Sequence, residues 1–184
     1  MKHINSSLFE LKNHKLFLSP KAVVTDNDGR WKMFDLSWEA TENAKSYTIT
    51  IVDYEASRVI GQPFIHFAAC NIKNNQISFG ENLTNSEWVQ GVNSTVPGQN
   101  KDQNGVIIPC MPKQYSANSL EEATGYFPPM PPDKKHLYTI KIYALDVEKL
   151  DLKQGFHLGE LNNAMLHHVL DVKQLNFWYE PEGK

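Results

Sequence analysis

Five polar side chains fall where a simple hydrophobic core would carry apolar groups. Asp53 ends one predicted strand on the face of its apolar residues, and His66 lies between apolar neighbours on a second strand. His136 and Tyr138 are two residues apart on a third strand, so both project from one face, about 7 Å apart. Glu55 follows Asp53 by two residues and shares its side if the chain stays extended. Together they predict a pocket with one or two carboxylates, two imidazoles and a phenol.

Such a pocket has the chemistry to hold a small anion. Two imidazoles and a phenolic hydroxyl offer N–H and O–H donors to a phosphate monoester or diester. A histidine can take up a proton as the anion enters, which matches its charge without a permanently buried cation. A nearby carboxylate orients an imidazole and stabilises its protonated form. We therefore predict anion binding that weakens as the pH rises through the histidine pKa values.

Each of these residues also has a simpler explanation. A lone histidine on a strand is more often a hydrogen-bonded core residue than a ligand, and Tyr138 fits a core tyrosine whose hydroxyl reaches the surface. Asp53 fits a residue that starts a turn. Two carboxylates and two histidines would also suit the metal site of a hydrolase. The chain contains no Gly-x-Ser-x-Gly nucleophile motif, so we expect no enzymatic activity and no metal or cofactor.

The charge balance narrows the possible partners. The 184 residues include 18 Lys and Arg against 21 Asp and Glu, a formal net charge of −3. This balance argues against binding to nucleic acid or to an anionic membrane surface, which both need a basic surface. Arg30 and Arg58 are the only arginines, although bidentate phosphate recognition relies mostly on arginine. With no long apolar run and no signal-peptide core, we expect a cytoplasmic protein.

The segments that must position the polar groups have the pattern of β-strands. Alternation or apolar content on both faces predicts strands at residues 46–53, 64–72 and 136–145. Weaker candidates are residues 16–24, 31–38, 106–108 and 175–179. An apolar stripe predicts a short amphipathic helix over residues 161–172, and residues 119–125 predict one helical turn. We predict a mainly β protein, an antiparallel β-sandwich with a few short peripheral helices.

Two loops stand out from this pattern. Residues 91–115 are long and polar, which is typical of a functional rim or a variable insertion. Residues 125–132 hold four prolines, which fix the backbone and remove four N–H donors just before the strand at 136–145. We expect a single domain over residues 1–184 with a variable insertion at about 84–115. The loops are also candidates for a protein-partner or homodimer surface, and a pairing of Cys70 with Cys110 stays open.

Three sequence blocks contain the candidate residues. The first is Asp53-Tyr54-Glu55-Ala56-Ser57, and the second is His66-Phe67-Ala68-Ala69-Cys70-Asn71-Ile72. The third comprises Gly125-Tyr126, Pro129-x-Pro131-Pro132, His136-Leu137-Tyr138 and Ala144-Leu145-Asp146. Together these blocks resemble the phosphatidylethanolamine-binding protein family, in its bacterial and archaeal, Raf-kinase-inhibitor-like branch.

This resemblance implies an antiparallel β-sandwich with a small anion pocket at one end. Its ligands would resemble phosphate, phosphorylated head groups, acetate or nucleotide phosphates. By residue match, the ligand-binding set would be Asp53, Glu55, His66, Pro129, Pro131, His136 and Tyr138. No enzymatic reaction defines the family, so a regulatory, non-catalytic protein that binds a small anion is expected. A module that modulates a kinase or protease through a vestigial pocket is the alternative, and a hydrolase is third.

The sequence also departs from the family pattern around these residues. Tyr54 and Ser57 replace both prolines of the first block, and Glu55 is one methylene longer than the usual aspartate. Leu137 stands where a basic residue is common, and Asp133 follows the double proline where a glycine is usual. The polar set of the pocket is retained, whereas its walls differ.

Overall fold

The protein consists mainly of short β-strands. The structure is a computed structural model that describes residues 4–97, 111–112 and 115–181. In chain order, the strands are β1 (Ile4–Asn5), β2 (Phe9–Lys12), β3 (Lys15–Leu18), β4 (Val24–Thr25), β5 (Trp31–Lys32), β6 (Leu36–Trp38), β7 (Ser46–Asp53), β8 (Phe64–Ile72), β9 (Gln76–Ile77), β10 (Val89–Gln90), β11 (His136–Leu145) and β12 (Val169–Tyr179). The helices are α1 (Ser57–Ile60) and α2 (Leu158–Ala164), with 3-10 turns at Pro20–Ala22 and Glu81–Leu83.

A seven-stranded sheet in the order β10-β8-β7-β11-β12-β3-β2 forms the centre of the fold. Its neighbours are antiparallel except for β12 and β3, which run parallel and pair at Trp178 and Phe17. A three-stranded sheet, β1-β6-β9, and the β4-β5 pair complete the strands. The prediction of a mainly β fold is confirmed, with one sheet mixed rather than wholly antiparallel.

The main core lies between the seven-stranded and the three-stranded sheets. Alternate residues of the central strands point toward this layer, as in Ile49 and Ile51 of β7 and Ile140 of β11, all fully buried. Leu36 and Ile77 face them from the three-stranded sheet. This face of the seven-stranded sheet also carries Asp53 and Tyr138, so the polar groups lie at one end of an otherwise apolar layer.

Helix α2 covers the opposite face of the large sheet. Leu161 and Met165 pack there against Ala68 and Cys70 of β8, so β8 is buried on both faces, as its apolar sequence predicts. Burial raises the pKa of the Cys70 thiol to about 12, which makes it a packing group rather than a reactive one. Cys110 lies outside the described residues. No helix of the described chain is long and apolar enough to span a membrane.

The strong strand predictions are confirmed to the residue, and the weaker ones only in part. Strands β7, β8 and β11 occupy the predicted residues 46–53, 64–72 and 136–145. The candidates at 16–24 and 31–38 are each broken into short pieces, 175–179 is the end of the longer β12, and 106–108 lies outside the described residues. Residues 119–125 form the single predicted turn, in which the Ala123 N–H donates to the Ser119 carbonyl at 3.2 Å and the Glu122 N–H donates to the Ser119 hydroxyl at 3.1 Å.

The helix predicted over residues 161–172 is wrong beyond Ala164. The chain turns at His167, whose φ is 67°, and β12 begins at Val169. Leu161 and Met165 are buried against β8, but Val169 and Val172 are exposed, so only the first half of the predicted apolar stripe covers the core. Residues with a positive φ end regular helices, and β-branched valines then favour the strand.

Candidate functional site

A β-bulge positions His66. Ile51 of β7 pairs with Phe67 of β8, but the next residue of β7, Val52, pairs with Ile65. His66 therefore has no partner residue across the ladder. Such a bulge re-aims a side chain and is common beside functional sites. Without it, alternation would point His66 to the face of Ala68, toward α2. With it, the His66 ring meets Tyr138 of β11 edge-on, at 5.1 Å between ring centroids.

The proline-rich loop is anchored to the same residue. The Phe127 backbone N–H donates to the His66 carbonyl at 2.8 Å, and the His66 Nδ1–H donates to the Phe127 carbonyl at 2.9 Å. Burial lowers the pKa of His66 to about 4, against the opposing effects of the Phe127 carbonyl and the Asp53 charge. The ring is therefore neutral at pH 7, with Nδ1 carrying the hydrogen and Nε2 free of it.

Strand pairing brings Asp53 and Tyr138 together, because they are direct partners between β7 and β11. Tyr138 is fully buried, and in the described part of the chain its hydroxyl makes no hydrogen bond. Burial raises its pKa, and the nearby Asp53 charge adds to that effect. The phenol is therefore a neutral donor without a partner, and leaving such a group buried costs about 1–3 kcal/mol.

Asp53 is held rigidly by its own strand end. Its Oδ1 accepts hydrogen bonds from the backbone N–H groups of Glu55 and Ala56, at 2.9 and 3.1 Å. This is the turn-starting role that the sequence also suggested. Its Oδ2 accepts a hydrogen bond from His136 Nδ1 at 2.6 Å, and the exposed fractions of the two side chains are 4% and 1%. The Asp53 carboxylate therefore starts the turn with one oxygen and binds His136 with the other.

The second nitrogen of His136 is also bound to a carboxylate. Its Nε2 donates to Asp133 Oδ1 at 2.7 Å, and Asp133 Oδ2 lies 3.5 Å from the Arg58 guanidinium of α1. Because ionised carboxylates only accept hydrogen bonds, the His136 ring satisfies both contacts when both nitrogens carry hydrogen. Partial desolvation is the largest single effect on the Asp133 pKa and raises it, but the hydrogen bonds from His136 and from the backbone, together with the His136 charge, outweigh it and lower that pKa. With hydrogen on both His136 nitrogens, a chain of alternating charges runs from Asp53 to the surface.

These groups lie on the wall of a large cavity. Its volume is about 1140 Å³, and its lining includes Asp53, His66, His136 and Tyr138. Of the predicted proline positions, Pro131 lines this cavity together with Pro132. Apolar side chains form much of the remaining wall, among them Trp31, Val59, Ile60, Phe64, Met111, Phe127 and Met130. Polar side chains such as Arg30, Asn82, Gln90, Asn93 and Glu122 also contribute to the wall, so the cavity is of mixed polarity.

Two predicted residues take other places. Glu55 and Pro129 are not among the described residues that line the cavity. The Glu55 carboxylate instead accepts the backbone N–H of Leu137 at 2.8 Å, which ties the segment before α1 to the first residues of β11. Pro129 is buried in the proline-rich loop. Both residues shape the site from outside the lining.

The sequence reasoning missed Asp133 and Arg58. In the sequence, Asp133 stands out only because it replaces a glycine, and Arg58 only because it is one of two arginines. Their contact spans 75 positions, so no local pattern shows it. The spacing of Asp133 three residues before His136 was the one available signal. Much of the loop at 91–115 lies outside the described residues, and its predicted role as a partner surface stays a prediction.

The described residues do not form a metal site. No group of three or more His, Cys, Asp or Glu side chains among them has the arrangement to hold a metal ion. Asp53 and both nitrogens of His136 already bind each other, the backbone or Asp133, and the His66 Nδ1 binds a carbonyl.

Comparison with known proteins relates this chain to one family. The family model described as phosphatidylethanolamine-binding protein matches residues 17–180. Protein YxkA of Bacillus subtilis is 34% identical over 127 residues, which cover 69% of this chain and 68% of YxkA. The solved structure of the homologue CT736 from Chlamydia trachomatis superposes with a TM-score of 0.68 at 24% identity, covering 97% of both chains. That of Escherichia coli YbcL has a TM-score of 0.63 at 17% identity, covering 98% of both. The chain therefore belongs to the phosphatidylethanolamine-binding protein family.

Proposed function

We propose that this protein binds a small oxyanion, either phosphate or the phosphate of a head group, and acts as a regulatory binding protein rather than an enzyme. The observation that carries the proposal is the meeting of His66 and Tyr138 beside the Asp53–His136 pair in the wall of the cavity. The buried Tyr138 hydroxyl is a donor without a partner, and a ligand oxygen would satisfy it.

His66 supplies the charge that an anion needs. Its Nδ1–H is committed to the Phe127 carbonyl, so any proton gained goes to Nε2 and turns that atom into a donor. Burial disfavours the charged ring when the cavity is empty, and an adjacent anion favours it. Anion binding is therefore coupled to the uptake of a proton, which keeps the buried charges matched.

The same features argue against acid–base catalysis. A histidine with a pKa of about 4 is a weak base at neutral pH, whereas an effective general base has a pKa near the working pH. His136 has both nitrogens engaged, and Asp53 has both oxygens engaged. No free base of suitable strength lies among these four groups, so we assign them to binding.

Calorimetric titration with sulfate tests the proposal, because sulfate does not titrate in this pH range. The titration is run at pH of about 6 in two buffers of different ionisation enthalpy, and the difference in heat counts the protons taken up. We expect binding with uptake of up to one proton per anion, and affinity that falls about tenfold per pH unit above pH 4 until the pKa of the bound His66 is passed.

Two asparagine variants make this test specific. His66→Asn keeps an amide N–H for the Phe127 carbonyl and should abolish the proton uptake. His14→Asn is the matched control, because His14 is an exposed turn residue with φ of 61°, a conformation that asparagine accepts. Absence of sulfate and phosphate binding in the high millimolar range, or binding without proton uptake, would refute the proposal.

A further inference from the structure

Asp133 occupies one of the two ring nitrogens of a histidine that lines the cavity. His136 Nδ1 is bound by Asp53, which is buried and fixed by two backbone N–H groups. His136 Nε2 is bound by Asp133, whose side chain is 40% exposed. A ligand that seeks a hydrogen bond from His136 therefore has one exchangeable position, and the Asp133 carboxylate already fills it.

Asp133 also has a second cation within reach. Its other oxygen lies 3.5 Å from the Arg58 guanidinium, which is 46% exposed on α1. This distance is long for a charge-assisted hydrogen bond, which is usually about 2.7–2.9 Å. The Arg58 contact is thus incomplete while Asp133 holds His136, and it can shorten when Asp133 leaves the ring.

We propose that Asp133 is an internal carboxylate that competes with the anionic ligand for His136, and that ligand binding transfers this carboxylate to Arg58. The inference rests on the proposed function and adds the residues that set its affinity. Whether Asp133 or the ligand is bound to Nε2, each nitrogen of the His136 ring keeps an anionic partner. The ring therefore never becomes an unpaired buried cation. The cost of displacing Asp133 selects for ligands that bind His136 more strongly than a carboxylate does.

Replacing Asp133 should therefore strengthen ligand binding. Asp133→Asn keeps the size of the side chain and removes its charge, so it competes less well for the His136 N–H. Since a hydrogen bond to a charged group is worth about 1 kcal/mol more than a neutral one, we expect the dissociation constant for sulfate to fall by about fivefold to tenfold. Asp151→Asn is the matched control, because Asp151 is an exposed aspartate beyond the far end of β11 and its replacement should leave sulfate affinity unchanged.

Arg58 tests the second half of the inference. Arg58→Gln removes the guanidinium that would donate to the displaced carboxylate, so it should weaken sulfate binding several-fold in the wild-type background. In an Asp133→Asn background, the same change should have a clearly smaller effect, because no charged side chain then needs to move. A double-mutant cycle on the four proteins measures this coupling. Equal effects of Arg58→Gln in both backgrounds would refute the transfer of the Asp133 carboxylate to Arg58.

Resonances of the wild-type protein give a readout that needs no variant. Saturation with sulfate should shift the Asp133 side-chain carboxyl carbon and the His136 Nε2, while His136 Nδ1 stays bound to Asp53. An unchanged or weaker sulfate affinity in Asp133→Asn, with wild-type binding intact, would refute the competition and leave the proposed function standing. If neither the wild type nor Asp133→Asn binds sulfate or phosphate, both the proposed function and the inference fail.

Discussion

His66 should account for part of the stability that the protein loses in mild acid, and replacement of His66 by asparagine should abolish that part. Burial lowers the His66 pKa to about 4 in the folded protein, whereas a histidine in an unfolded chain has a pKa of about 6.5. As the pH falls below 6.5, the unfolded chain takes up this proton while the folded protein does not. The free energy of unfolding therefore falls with the pH in this window, and the effect ends near pH 4.

The size of the effect follows from the two pKa values. Each pKa unit corresponds to about 1.4 kcal/mol. At pH of about 5, the unfolded histidine is mostly charged and the buried one is mostly neutral, so His66 destabilises the fold by about 2 kcal/mol relative to pH 7.5. An asparagine at this position carries no proton in either state, so its contribution to stability does not change with pH.

Urea unfolding of both proteins at several pH values between about 5 and 7.5 measures this difference. The absolute stabilities will differ because the side chains differ, so the test is the change of that difference with pH. Other titrating groups are common to both proteins and cancel. Relative to wild type, the free energy of unfolding of His66→Asn should rise by about 2 kcal/mol as the pH falls to about 5. The free energy of unfolding of His14→Asn should change with pH as that of wild type does. Parallel curves for His66→Asn would refute a buried, neutral His66.

Substitutions at three further positions test contacts in the fold and in the site. Gly91→Ala should lower the free energy of unfolding by about 1–3 kcal/mol, because a Cβ at this position would lie 2.6 Å from the Phe156 ring; urea unfolding measures it. Asn71→Ala should lower the free energy of unfolding by about 2–3 kcal/mol, because the Asn71 side chain bonds both backbone groups of Leu150 and its own φ is 64°. Asn71→Gly should lose less stability than Asn71→Ala, because glycine accepts this φ. Tyr138→Phe should leave thermal stability unchanged or higher, because it removes an unpartnered hydroxyl, and should weaken sulfate binding about fivefold to tenfold by calorimetry.

The central strands were predictable because one physical signal dominates them. Strands β7, β8 and β11 are buried over most of their length, so alternation or continuous apolar content marks their whole extent. At the exposed end of β12, the same apolar residues fit a helical stripe as well as a strand. The turn at His167 decides between them, and a positive φ at a histidine leaves no clear mark on sequence.

The candidate site was predictable in its residue types but not in its connections. Alternation on β11 alone places His136 and Tyr138 on one face. For His66, alternation along β8 points the ring to the wrong face, and the bulge opposite Ile51 and Val52 corrects it. A bulge depends on the register between two strands, which a single strand's pattern does not contain.

The charges of the site compensate each other before any ligand enters. When both His136 nitrogens carry hydrogen, Asp53, His136, Asp133 and Arg58 alternate in sign and sum to zero. An anion that takes the place of Asp133 on His136 adds one or more negative charges, and proton uptake by His66 offsets one of them. Both arginines face carboxylates of the chain itself: Arg58 faces Asp133, and Arg30, which lines the cavity, is paired with Asp26. This arrangement explains how a chain with two arginines can hold a small anion, and why its affinity for that anion would depend on the pH through His66.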